Sequence, residues 1–195
     1  MQQSLIHHSN FFMLARKIKW LMAICALMIG VHIVNLFTNG SLYQYGIHPR
    51  QLDSLWGIVA APFLHGDIGH LMSNLIGLII FSALLFVHSL KRYLWSSAFI
   101  IVLTGFLVWL FARNALHIGA SGWIFGLWSL CIATAWYDRK FINILIAFLV
   151  VFLYGGMLFG VLPGDPRVSF ESHFFGAIVG VVCAFFQAKF YKNKM

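Results

Sequence analysis

The sequence predicts an all-α integral membrane protein, a bundle of six transmembrane helices with both termini in the cytoplasm, from three observations. Hydrophobic residues make up 61% of the 195 residues and charged residues only 9%. A soluble domain carries about 25% charged residues, so this chain cannot cover its own surface in water. The apolar residues gather into six runs near the ~20 residues that a bilayer core about 30 Å thick requires of a helix. The basic residues fall almost entirely into alternate connections between those runs, the pattern expected of cytoplasmic loops.

Span one runs from Trp20 to Phe37, behind Arg16, Lys17 and Lys19. No small-residue cleavage site follows it, so it is expected to be retained rather than removed as a signal peptide. A long outer connection, Thr38 to Asp67, holds Tyr43, Tyr45, Trp56 and Phe63, aromatics suited to the headgroup level. Span two covers Ile68 to Val87, and Lys91 and Arg92 separate it from span three, Tyr93 to Phe111. Span four, Ser121 to Tyr137, ends at Asp138, Arg139 and Lys140. Span five follows from Phe141 to Val161, and span six from Phe170 to Phe190, with Lys189, Lys192 and Lys194 closing the chain. Only Arg50, Arg113 and Arg167 fall on the other side. The net charge of +8 is thus a topology signal, and no nucleic-acid partner is expected. Cys25, Cys131 and Cys183 lie inside apolar runs and read as small buried residues rather than a zinc or disulfide framework. No linker or repeat divides residues 1–195, which read as one domain.

Polar groups at membrane depth are costly and usually mark function. Spans two, four and six all run inward in this topology. His70 and Asn74 lie in the first two turns of span two, Ser121 opens span four, and His173 lies in the first turn of span six. Four polar residues from three spans therefore converge at one depth, just below the outer surface. Span four has seventeen residues, about 25 Å at 1.5 Å each, which is less than the hydrocarbon thickness. With its inner end held at the membrane face by charges, Ser121 must start inside the bilayer. The preceding segment, Ala112 to Ala120, is then non-helical and has to line protein or a wet cavity. Gly122 and Gly126 on span four, and Gly176 and Gly180 on span six, have the spacing that lets helix backbones approach closely.

A serine hydroxyl needs an adjacent base, usually histidine, to become a nucleophile. Attack on a peptide carbonyl then builds an oxyanion that needs donors already aimed at it. The Ser121 amide has no helical partner at a helix start, and Asn74 and His70, on one helix face, can supply side-chain donors. No carboxylate is placed to orient His173, because Glu171 is two residues away and Asp67 and Asp165 lie in loops. A Ser121–His173 dyad is therefore expected rather than a triad.

These residues resemble a known family. Gly119-Ala120-Ser121-Gly122 is similar to the G-x-S-G motif of rhomboid intramembrane serine proteases, and His70-Leu71-Met72-Ser73-Asn74 to their H-x-x-x-N motif. His173 with Gly176 and Gly180 resembles their sixth-span histidine and glycines. The likeness is greatest to the minimal, six-span bacterial GlpG-type form. It implies cleavage of single-span membrane proteins near the outer end of their helix, with Ser121 as nucleophile, His173 as base and Asn74 and His70 serving the oxyanion. It also implies a mobile cap around Gly160 to Val168, no cofactor or metal, partners limited to helical substrates and lipid, and a bacterial inner membrane. Two positions depart from the pattern. Gly57 follows Trp56 where many relatives have arginine, and Phe125 stands where relatives often have a tyrosine packed on the histidine.

Two alternatives remain open. A catalytically inactive rhomboid-like protein that binds membrane helices would be expected to lack the serine or the histidine. A His-rich metal transporter would use His48, His65, His70, His117 and His173, all on the outer side. No H-E-x-x-H occurs, however, and His65 and His70, five apart, do not share a helix face. His7, His8, His32 and His88 are given no role.

Overall fold

In a computed structural model, residues 2–192 are described, with side chains over residues 12–190. Lys194 lies outside the described residues, as do the side chains of His7, His8 and Lys192. Six long helices carry the chain: α1 (Gln2–Phe37), α2 (Ile68–Leu85), α3 (Leu90–Phe111), α4 (Ser121–Tyr137), α5 (Phe141–Tyr154) and α6 (Phe170–Lys192). No β-strand forms among the described residues, only the isolated bridge between Ile47 and His117. Five segments are long and apolar enough to cross a bilayer: Phe12–Phe37, Ile68–Leu85, Leu90–Phe111, Phe141–Val161 and Phe170–Phe190. The sixth helix, α4, has seventeen residues.

Helix boundaries follow local chemistry. Asn39 (φ 52°) and Gly40 (φ 82°) take left-handed backbone after Phe37, and the Gly40 amide bonds the Asn35 carbonyl at 2.8 Å, closing α1. The Asp67 carboxylate accepts from the His70 amide at 2.9 Å and caps α2. Ser89 caps α3 in the same way. Lys91 and Arg92, expected in a loop between spans, therefore lie inside the first turn of α3. Gly155 and Gly156 weaken the last turns of the fifth span, which continues as a 3-10 helix, Gly155–Val161.

The core is organised around α4, where every residue from Gly122 to Cys131 is buried. Its tightest neighbour is α6. A Cβ at Gly176 would strike the Gly122 carbonyl, and one at Gly180 the Gly126 carbonyl, so the two backbones touch only because these residues are glycine. At the basic end, the Arg92 guanidinium donates to Gln187 at 2.5 Å, and the Gln187 amide donates to Ser96, joining α3 to α6. Lys17 on α1 reaches the Phe86 carbonyl at 2.7 Å.

At the opposite end, the connection between α1 and α2 is a chain of short turns over Ser41–Tyr45, Leu52–Ser54, Gly57–Ala60 and Ala61–Phe63. Leu52, Tyr45 and Trp56 stay at least half exposed on it, as expected of a segment lying at the lipid surface. Gly57 packs so closely that a Cβ there would lie 2.5 Å from the Gly46 carbonyl, and no larger side chain fits. Arg50 ties this connection to the bundle, donating at 2.8 Å to the Ala112 carbonyl at the end of α3.

Candidate active site

The polar residues singled out in the sequence come together at the end of the bundle opposite Lys17, Arg92 and Lys140. Ser121 is the first residue of α4. Its position depends on Gly119, which has φ +105°. A Cβ at Gly119 would lie 2.5 Å from Nε2 of His70, so glycine is required there twice, by conformation and by space. The Gly119 amide is held by the Ala61 carbonyl at 2.8 Å. Neither the Ser121 hydroxyl nor its amide has a hydrogen-bond partner among the described residues, so both are available to a ligand.

His173 lies in the first turn of α6, nearly buried at 9% exposure. Its ring stacks on Phe125 with centroids 4.1 Å apart and planes 7° from parallel. Phe125 is four residues beyond Ser121 on α4, hence on the same helix face. The neighbouring Gly122 meets Ser172, beside His173, with the Ser172 carbonyl 3.1 Å from where a Cβ would stand. The first turns of α4 and α6 are therefore packed together. Nδ1 of His173 lies 2.9 Å from the Gly160 carbonyl. A carbonyl oxygen only accepts, so Nδ1 carries the proton and Nε2 of the neutral ring is the basic nitrogen.

His70 and Asn74 occupy the first turns of α2. The His70 ring covers Gly119, and Asn74, buried at 4% exposure, donates one amide N–H to the His70 carbonyl at 2.7 Å. Its second N–H remains free, and its Oδ1 is buried without a partner. The His70 ring thus meets Gly119, two residues before Ser121, and Asn74 lies one turn further along α2. Behind Gly119 and Gly122 lies a cavity of about 30 Å³ reached by Ala61, Thr104, Trp123 and Ser172. It is large enough for a water molecule, and Thr104 and Trp123 each carry a buried polar atom without a partner.

Four features were missed in the sequence. Gly160 orients His173 through a backbone carbonyl, which leaves no sequence signal. Glu171, set aside as an orienter of His173, pairs instead with Arg113 at 3.5 Å. Arg113 also donates to the Pro166 and Val168 carbonyls at 2.9 and 2.8 Å, which ties the descending limb of the loop before α6 to the loop before α4. Asp67, a loop residue by sequence, precedes an apolar run by one residue, the position where a cap is expected, and caps α2. His65 and His70 share no helix face, but their rings meet edge to face at 5.1 Å because His65 precedes α2. His65 is 1% exposed with both ring nitrogens unpartnered. Burial first, and the neighbouring His70 second, lower its pKa to about 4, so it is neutral at pH 7.

Comparison with known proteins places the chain in a family. Residues 52–190 match the Rhomboid domain. An uncharacterised protein of Mycobacterium tuberculosis is 36% identical over 169 residues, covering 82% of this chain and 70% of its own length. A protein of Mycobacterium leprae is 34% identical over 185 residues, with 87% and 73% covered. Rhomboid-like protein 11 of Arabidopsis thaliana, a chloroplast protein by name, is 31% identical over 200 residues, with 90% and 67% covered.

Proposed function

The chain belongs to the rhomboid family of multi-pass membrane proteins, and from that premise we propose that it is an intramembrane serine endopeptidase working through a Ser121–His173 dyad. Its substrates are single-span membrane proteins, cut near the outer end of their helices. One observation carries the reading. The His173 ring is clamped between the Phe125 face and the Gly160 carbonyl, which leaves Nε2 as the base on the face of α4 that begins with Ser121.

A substrate helix unwinds locally at small or helix-breaking residues and presents a peptide bond beside Ser121. Nε2 of His173 takes the Ser121 proton as Oγ attacks the carbonyl carbon. The oxyanion is received by the Ser121 amide, the free Asn74 N–H and His70. The imidazolium then gives its proton to the departing amine, which leaves an acyl-enzyme on Ser121. Water, for which the cavity behind Gly119 has room, hydrolyses that ester, with His173 again as base. The dyad needs no carboxylate, because the Gly160 carbonyl does the work of holding the ring tautomer. No cofactor enters any step.

Cleavage of a single-span reporter by purified protein in liposomes tests this. The wild type is expected to cut near the outer end of the reporter helix, and Ser121→Ala and His173→Ala to lose at least about 10³-fold in rate. Equal cutting by either variant contradicts the dyad. A folded wild type that binds the reporter without cutting it identifies a rhomboid-like helix-binding protein. Loss of cutting on chelation contradicts the cofactor-free reading.

A further inference from the structure

At the basic end of the bundle, far from Ser121, a groove of about 380 Å³ opens between α4 and α5. This volume lies within the roughly 300–1,000 Å³ of ordinary ligand pockets. Its floor is apolar, formed by Ile132, Ala133, Ala135 and Ile144, and its mouth holds Trp136 and Arg139. The Arg139 guanidinium lies over the Trp136 ring at 5.6 Å. Among the described residues it forms no ion pair, whereas its neighbours Asp138 and Lys140 pair with each other at 3.6 Å. Charge at this turn is therefore that of Arg139 alone. Trp136 is 72% exposed, a ring at the level where indoles meet lipid headgroups.

We propose that this groove seats one anionic phospholipid, with its phosphodiester on the Arg139 guanidinium and the start of an acyl chain along Ile132, Ala133 and Ile144. Charge complementarity selects the occupant. A planar guanidinium offers two parallel donors to a phosphate, and basic pockets between helices on the cytoplasmic side are the recurrent sites of anionic headgroups. The apolar floor selects a lipid over a free anion, since inorganic phosphate leaves Ile132 and Ile144 uncovered. Trp136 walls the phosphate from the side and holds the guanidinium flat across the mouth.

The test needs no peptidase activity. The protein is reconstituted in vesicles of equimolar phosphatidylcholine and phosphatidylglycerol with matched chains, then extracted, and the lipid retained is counted by native mass spectrometry. Wild type is expected to retain phosphatidylglycerol about fivefold over phosphatidylcholine, the scale of one basic residue acting on an anionic lipid. Arg139→Gln is expected to lose that preference and Arg139→Lys to keep part of it. Lys91→Gln, which removes a charge at the same end outside the groove, is expected to keep it all. Equal retention of the two lipids by the wild type overturns the proposal. So does an Arg139→Gln protein that keeps the wild-type preference, because overall basic charge would then account for it. Displacement of the bound lipid by millimolar inorganic phosphate would show a free-anion site and overturn it as well.

Discussion

The two helices that flank α4 are held in opposite ways. On one side α6 meets α4 backbone to backbone through Gly122, Gly126, Gly176 and Gly180. On the other, α5 buries only Asn143, Ile146 and Val150 and turns Phe141, Phe148 and Phe152 outward. In water those rings would collapse inward, but in lipid they cost nothing, because acyl chains are as apolar as a protein core. Glycine contact thus sets the spacing on one flank, whereas the other presents large side chains to lipid. His173 sits on the boundary. Its ring face rests on Phe125 of α4, and its Nδ1 on Gly160, in the segment that continues α5. The His173 ring is therefore supported by both flanks, whereas the α4–α6 contact is made by glycine alone.

The contrast can be broken most severely at Gly176. Gly176→Leu forces α4 and α6 apart, and the expected loss is at least about 3 kcal/mol of stability, read as a collapsed thermal transition in detergent. A variant that melts with the wild type refutes the backbone contact.

Next is the effect of pH on the buried His65. Its folded pKa of about 4 lies below the ordinary ~6.5 of a free histidine, so the folded state disfavours the proton. Its contribution is complete above about pH 6.5, is lost as pH falls to about 4, and levels off below that. The loss approaches about 3 kcal/mol at ~1.36 kcal/mol per pKa unit. The ring faces His70, His32 and Asp67, which remain in His65→Leu. That variant should show a flatter thermal stability profile between pH 6.5 and 4, and an unchanged profile counts against a buried neutral ring.

Phe125 tests the support of the base. An aromatic stack is worth about 1 kcal/mol, so Phe125→Leu is expected to cut kcat about five- to tenfold with KM little changed. Phe125→Tyr should stay near wild type. Arg113 tests the tether of the loop before α6. Arg113→Gln removes two charge-assisted bonds and the Glu171 pair, and amide exchange over residues 166–172 should rise about tenfold. Uniform exchange across the whole chain would show general destabilisation instead. The smallest effect belongs to the lipid-facing flank. Phe152, 74% exposed, should tolerate Phe152→Leu within about 0.5 kcal/mol.

How far these features could be read in advance depends on the physics behind each. α4 runs from Ser121 to Tyr137, as expected, because an apolar run ends there against Asp138-Arg139-Lys140. The start of α1 lies earlier than Trp20 because lysine and arginine are good helix formers and nothing before them breaks the helix. The close approach of α4 and α6 was visible as glycine spacing. The hold of Gly160 on His173 was not, since any residue offers the same carbonyl. Arg113 and Glu171, fifty-eight positions apart, meet only once α3 and α6 are packed. The tie from Arg50 to the Ala112 carbonyl depends on a φ of +63° at Arg50, which no sequence pattern announces.

The central claim is that Ser121 is a nucleophile activated by Nε2 of His173. A fluorophosphonate, which reacts covalently with activated serines, tests it without requiring a known substrate. Peptide mapping should find the adduct on Ser121 in the wild type. The labelling rate is expected to fall at least about 10³-fold in His173→Ala. Labelling of His173→Ala at the wild-type rate, or an adduct on any other serine, would contradict the account.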